Sequence, residues 1–141
     1  MSMAKTSKAS TSLLFVLVLL LAPGCGLFGS SGPEIKGDYE IQTQVEGESV
    51  TIDLDLSTSD NSFSGTGTIT VDDPDNPPVE VNLSGSHDSP EVLIRMKSPD
   101  VNTVTFEGET GGDADRIEGQ LYYSGDPFSG FGEADVVLEK Q

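Results

Sequence analysis

The chain has 141 residues, which is enough for one domain of modest size. Its 24 acidic residues outnumber its 7 lysines and arginines, and the resulting net charge of −17 argues against partners such as nucleic acid or anionic lipid headgroups. The chain contains one cysteine, one histidine and no tryptophan. No intrachain disulfide can form, so stability has to come from the burial of apolar side chains.

The N-terminal segment has the organisation of an export signal. Two lysines precede an uncharged apolar run, residues 13–22, which is followed by Pro23, Gly24 and then Cys25. A basic region, a short apolar stretch and small residues before a cleavage point are typical of a secretory signal peptide. A lone cysteine directly after the small residues resembles the lipobox of bacterial lipoproteins. The resemblance implies that residues 1–24 are removed and that Cys25 is the lipid attachment residue, diacylated at the mature N-terminus.

Two other interpretations of this segment remain open. One is a plain secretory signal followed by a free cysteine, and the other is a retained membrane anchor. The anchor is disfavoured because the ten apolar residues fall short of the ~20 needed to span a bilayer. Gly26 is not the aspartate that retains some bacterial lipoproteins in the inner membrane. By this resemblance, we expect the protein in the cell envelope, anchored by its acyl chains alone at the periplasmic face of the outer membrane.

Beyond the cysteine, the sequence predicts a tether and one domain. Residues 25–37 are rich in glycine and serine without any period, which indicates a flexible tether, and residues 38–141 form the domain. Cleavage before Cys25 removes two lysines and no acidic residue, which leaves 117 residues with a net charge of −19. The scarcity of lysine and the even spread of acids resemble the composition of proteins from salt-loving (halophilic) microbes. In such proteins the charge keeps the chain in solution.

From Asp38 onward, apolar and polar residues alternate with the period of a β-strand. In residues 50–57, four apolar side chains alternate with two carboxylates and two hydroxyls, so the two sets lie on opposite faces of a strand. No stretch of the domain has helical periodicity. The eight predicted strands cover residues 39–45, 50–57, 63–71, 79–85, 92–96, 104–108, 117–123 and 134–138.

The connections between these strands are short and rich in glycine, proline, aspartate and asparagine, so successive strands pair antiparallel as a meander. Glycines recur one step from large residues on the apolar face, as in Phe63-x-Gly65 and Phe106-x-Gly108, and such glycines allow strong coiling. We therefore predict an all-β domain, an eight-stranded up-and-down meander that closes into a small β-barrel. The alternative is a two-sheet β-sandwich.

The number and pattern of strands over residues 38–140 resemble the small ligand-binding barrels of the lipocalin and avidin kind. Gly37-Asp38-Tyr39 stands where that kind of barrel has Gly-x-Trp. The resemblance implies a small hydrophobic ligand inside the barrel. The wall glycines would either leave room for it or let the opposite walls pack together. The predicted lining consists of Tyr39, Ile41, Ile52, Leu54, Phe63, Val81, Ile94, Phe106, Leu121, Tyr123 and Val136.

The opposite strand face is charged and belongs in water, so we expect no insertion of the barrel itself into a membrane. The predicted outward residues include Asp53, Asp55, Glu80, Arg95, Lys97, Glu107, Glu118, Glu133, Asp135 and Glu139.

Residues suited to catalysis are scarce. His87 is the only histidine, and we expect it in a turn beside Asp88, where adjacent side chains rarely form a base with its orienting group. No serine lies in a Gly-x-Ser-x-Gly motif. One histidine and one cysteine are too few for a typical catalytic metal site. We therefore predict no enzyme activity, no catalytic residue, no cofactor and no metal ligand.

Calcium at the acidic loops is a separate possibility. A meander gathers alternate loops at one end, here residues 72–76, 98–100 and 125–127 together with Glu46 and Glu48. These carboxylates suit calcium, but no loop has the spacing of a complete calcium site, and aspartates are also ordinary turn residues. Because the tether joins the other end of the barrel, this acidic rim would face away from the membrane.

Together these features favour a monomeric, non-enzymatic envelope lipoprotein whose acidic barrel is a structural or interaction module for another envelope protein. The alternative is a lipocalin-like carrier of a small hydrophobic ligand.

Overall fold

The computed structural model describes residues 33–99, 101–125, 127–128 and 130–141, so Cys25 lies outside the described residues. Every strand pairs antiparallel with the next in sequence, and β1 pairs with β8 to close a barrel. The predicted all-β meander barrel is thereby confirmed, and the sandwich alternative is wrong. The strands are β1 (Gly37–Val45), β2 (Glu48–Ser59), β3 (Ser62–Val71), β4 (Val79–Asp88), β5 (Glu91–Ser98), β6 (Val101–Thr110), β7 (Arg116–Ser124) and β8 (Phe131–Lys140).

None of these described residues belongs to a helix with the length and apolar character that a membrane span requires.

The alternation of the sequence becomes the inside and outside of the barrel. In β2, Ile52, Leu54 and Leu56 are buried while Asp53 and Asp55 are exposed. All eight strands contribute to one continuous buried core. Ten of the eleven predicted lining residues are buried, and Tyr123 packs against the core partly buried. The ten predicted outward charged residues are all exposed.

Glycines in the wall allow neighbouring strands to approach closely. An added Cβ at Gly65 would lie 1.9 Å from the backbone oxygen of Asp55, and one at Gly85 would lie 1.9 Å from that of Leu93. Real Cβ atoms cannot occupy such positions, because the backbone of the next strand already fills the space. These glycines therefore permit the strong coiling that a small closed barrel needs.

The core extends beyond the strands at both ends of the barrel. Ile35, which lies in the stretch predicted as a tether, is fully buried, and the hydroxyl of Thr58 donates a hydrogen bond to its backbone oxygen. Ala114 from the β6–β7 loop is buried at this same end. Phe128 from the β7–β8 loop is buried at the other end. The packed domain therefore includes Ile35 ahead of β1.

The wall glycines give a test of the barrel geometry. We expect Gly85→Ala to lower the free energy of unfolding by about 1–3 kcal/mol, because the methyl group forces apart two paired strands. The matched control is Gly112→Ala in the β6–β7 loop, where an added Cβ meets nothing within 4 Å. This control should leave the free energy of unfolding unchanged or raise it slightly. Urea denaturation followed by circular dichroism measures both, and equal effects would contradict the assigned packing.

Candidate functional site

The barrel interior is the first candidate site, and large side chains lie over its wall glycines. An added Cβ at Gly67 would lie 2.9 Å from Cδ2 of Leu54, and one at Gly108 would lie 2.7 Å from Cζ of Phe106. Both large side chains are buried. At these positions the missing Cβ of the glycine leaves space on the inner face of the wall, and a large side chain of the same wall already occupies that space.

Two aromatic rings pack together at the upper end of the barrel, where β7 turns into β8. The ring of Tyr123 lies over Gly132, where an added Cβ would be 2.3 Å from Cζ of the tyrosine. Phe128 packs against the same tyrosine with ring centroids 4.8 Å apart and a tilt of 50°. Phe128 is buried, so this ring pair extends the apolar core at the upper end.

The lower end, where the chain enters β1, contains a buried tyrosine with a satisfied hydroxyl. Tyr39 donates a hydrogen bond of 2.9 Å to the backbone oxygen of Ala114, so its one polar atom has a partner. Burial raises the pKa of Tyr39 above its usual value, and the carboxylate of Asp115 adds to the effect. This hydrogen bond fixes the β6–β7 loop across the end of the barrel.

The prediction that His87 lies in a turn is wrong. Strand β4 continues to Asp88, and the connection to β5 is reduced to Ser89 and Pro90. The imidazole therefore points inward and is 9% exposed, stacked on Phe63 with ring centroids 6.0 Å apart and planes within 10°. Its Nε2 is buried without a hydrogen-bond partner. Because Asp88 points outward, the two side chains lie on opposite faces of the wall and do not form a catalytic pair.

The described carboxylates of the predicted acidic rim lie at one end of the barrel, and one of them already has partners within its own loop. Asp73 accepts hydrogen bonds from the backbone N–H of Asp75 at 3.0 Å and from Nδ2 of Asn76 at 2.7 Å. Asp100 and Asp126, which belong to the predicted rim, lie outside the described residues. Among the residues that the structure describes, no three His, Cys, Asp or Glu side chains come together as a metal site.

The outer face places like charges directly opposite one another across strands. Glu109 in β6 pairs with Glu91 in β5 and with Glu118 in β7, so three carboxylates form one row. A second row has Glu40 between Asp53 and Glu139. Like charges directly opposite in a sheet are destabilising. Arg116 forms ion pairs with Glu118 at 3.6 Å and with Glu139 at 2.6 Å, which offsets the repulsion at one end of each row. The remaining opposed carboxylates act against folding at low salt.

Open grooves on the outer face divide into two chemical kinds. Three of them are each lined by four carboxylates. A fourth, of about 300 Å³, has no charged residue in its lining and lies between Tyr122 and Phe131. The sequence pattern does not indicate this groove, because its residues come from three strands and meet only through their register.

A comparison with protein-family models and a search of curated protein sequences both found no match to this chain.

The carboxylate rows lead to a test by charge removal. We expect Glu109→Gln to raise the free energy of unfolding by about 0.2–1 kcal/mol at low salt, because it removes repulsion from both neighbours. The gain should disappear towards 1 M salt, where charges are screened within about 3 Å. Glu133→Gln is the control, since Glu133 pairs with Tyr122 in β7. Thermal melts over a salt series measure both variants. If the melting temperatures of the two variants depend on salt equally, the row of carboxylates is not a source of repulsion.

Proposed function

We propose that this chain is a non-enzymatic lipoprotein of the cell envelope, held by acyl chains on Cys25, whose barrel is a structural or interaction module. The observation that carries the proposal is the occupation of the interior by Leu54, Phe106 and Tyr123 over the wall glycines. With the interior filled at these points, the surfaces left for recognition are the outer face and the loops. This favours the interaction module over the carrier of a small hydrophobic ligand.

The charge distribution supports the same proposal. Residues 33–141 contain all 24 acidic residues of the chain, and ten of the carboxylates on the strands line open grooves of the outer face. Such a surface repels anionic lipid and favours a partner with a complementary basic face. The proposed lipid anchor is therefore what would hold this acidic domain at an anionic membrane.

The orientation of the domain follows from the topology. The chain enters β1 at the end where Ile35 is buried, so an anchor at Cys25 places that end towards the membrane. The connections β1–β2, β3–β4, β5–β6 and β7–β8 then lie at the far end. A partner in the periplasm would meet these loops and the adjoining outer face.

Metabolic labelling tests the anchor. The full chain, produced in a bacterial host fed an alkyne fatty acid, should incorporate the label and sediment with membranes. Cys25→Ser should lose both properties because it removes the acylated thiol, while Ser31→Cys in the Cys25→Ser background should not restore them. Label retained by Cys25→Ser, or an unlabelled native chain, would overturn the anchoring proposal.

A further inference from the structure

The charge-free groove on the outer face, called the aromatic groove below, is defined by Tyr122, Phe131 and the hydroxyl residues Thr103, Thr105 and Ser124. It lies on β6, β7 and β8 near the end that carries the β7–β8 loop. It is therefore far from the end where the chain enters the barrel, and a ligand in it would not be blocked by an anchor.

The two aromatic side chains of this groove are exposed to an unusual degree for this chain. Phe131 is 94% exposed and Tyr122 is 36% exposed, and they are the large apolar side chains exposed in the described parts of the molecule. Phe131 pairs with Ser124 across β7 and β8, and Tyr122 lies two residues before that serine on the same face. The two residues are thus diagonal neighbours on the outer face of the paired strands.

Hydrogen bonds position the tyrosine before any ligand arrives. Its hydroxyl donates to Oε1 of Gln120 at 2.8 Å, and Nε2 of the same glutamine donates to Oδ1 of Asp135 at 3.1 Å. This arrangement fixes the ring of Tyr122 against the sheet. A ring that is already oriented loses little conformational freedom when a ligand stacks on it.

The lack of charge in the aromatic groove limits the chemistry of its ligand. Three other grooves each present four carboxylates, so a cationic ligand would bind there more favourably. An anionic ligand would be repelled by the surrounding acidic surface. What the aromatic groove offers is aromatic ring faces beside threonine and serine hydroxyls, which both donate and accept hydrogen bonds.

A sugar ring matches this combination, since its C–H face stacks on an aromatic ring while its hydroxyls hydrogen-bond to neighbouring side chains. The size agrees, because about 300 Å³ is at the lower end for small-molecule sites. Two exposed aromatic side chains, at roughly 150–250 Å² each, supply much less apolar surface than a standard protein interface of roughly 800 Å² per partner. We propose that the aromatic groove binds a neutral saccharide, one or two units of a longer chain.

This inference does not depend on lipid at Cys25. It is tested with the ¹⁵N-labelled full chain, purified in a zwitterionic detergent that has no sugar headgroup. The probes are chitohexaose, cellohexaose and maltohexaose as neutral saccharides, an oligogalacturonate as the anionic one, and spermine as a cation. We expect at least one neutral hexasaccharide to bind saturably, with the largest amide shifts at Thr103, Thr105, Ser124 and Phe131.

Variants then assign the binding to the aromatic rings. Phe131→Ala should weaken the affinity by about tenfold or more through loss of stacking. Leu93→Ala is the matched control, because it removes an apolar side chain from the outer face of β5 in a carboxylate-lined groove. It should leave the affinity unchanged. Tyr122→Phe, which keeps the ring and removes its hydroxyl, gives a smaller loss and provides a second variant if Phe131→Ala alters the fold.

Three results would overturn the inference: no neutral saccharide binds, Phe131→Ala and Leu93→Ala behave alike, or the shifts lie in the carboxylate-lined grooves. Binding of spermine or oligogalacturonate at the aromatic groove would also contradict it. None of these results would alter the acyl labelling at Cys25, so failure here is distinguishable from failure of the anchoring proposal.

Discussion

The close approach of neighbouring strands at the wall glycines determines the other features of this barrel. At Gly65 and Gly85 the next strand's backbone oxygen occupies the place where a Cβ would be. Strands that approach this closely coil strongly, and eight of them close around a narrow interior. At Gly67, Gly108 and Gly132 this interior is occupied by side chains of its own wall, which supports the proposal that recognition takes place at the outer face and the loops.

The acidic composition acts on that outer face in two ways. It places carboxylates opposite one another, as at Glu91, Glu109 and Glu118, which costs stability when salt is low. It also makes an uncharged region chemically distinct. Three other grooves are lined by carboxylates, whereas the hydroxyls and aromatic rings around Phe131 carry no charge, and this difference is the basis of the proposed saccharide site.

Much of the fold could be predicted from the sequence because burial has the same period as the strand. Each run of alternating apolar and polar residues, such as residues 50–57, identifies both a strand and the face of that strand that points inward. The prediction was wrong for His87, because a two-residue connection extends β4 beyond the point where the composition suggests a turn. Ile35, Ala114 and Phe128 lie outside the periodic runs, so nothing local indicated that they close the ends of the barrel. The aromatic groove depends on the register of β7 and β8, which alternation alone does not determine.

The central claim is that the interior is filled by its own side chains, and methyl NMR during titration with benzene tests it directly. Benzene enters apolar cavities of on the order of 150 Å³, so the wild-type chain should show no saturable shift of its inward Ile41, Ile52 and Ile94 methyl groups. Phe106→Ala opens a cavity beside Gly108 and should bind benzene with shifts at those same methyl groups. Saturable shifts of equal size in the wild-type chain would contradict the account and favour the carrier.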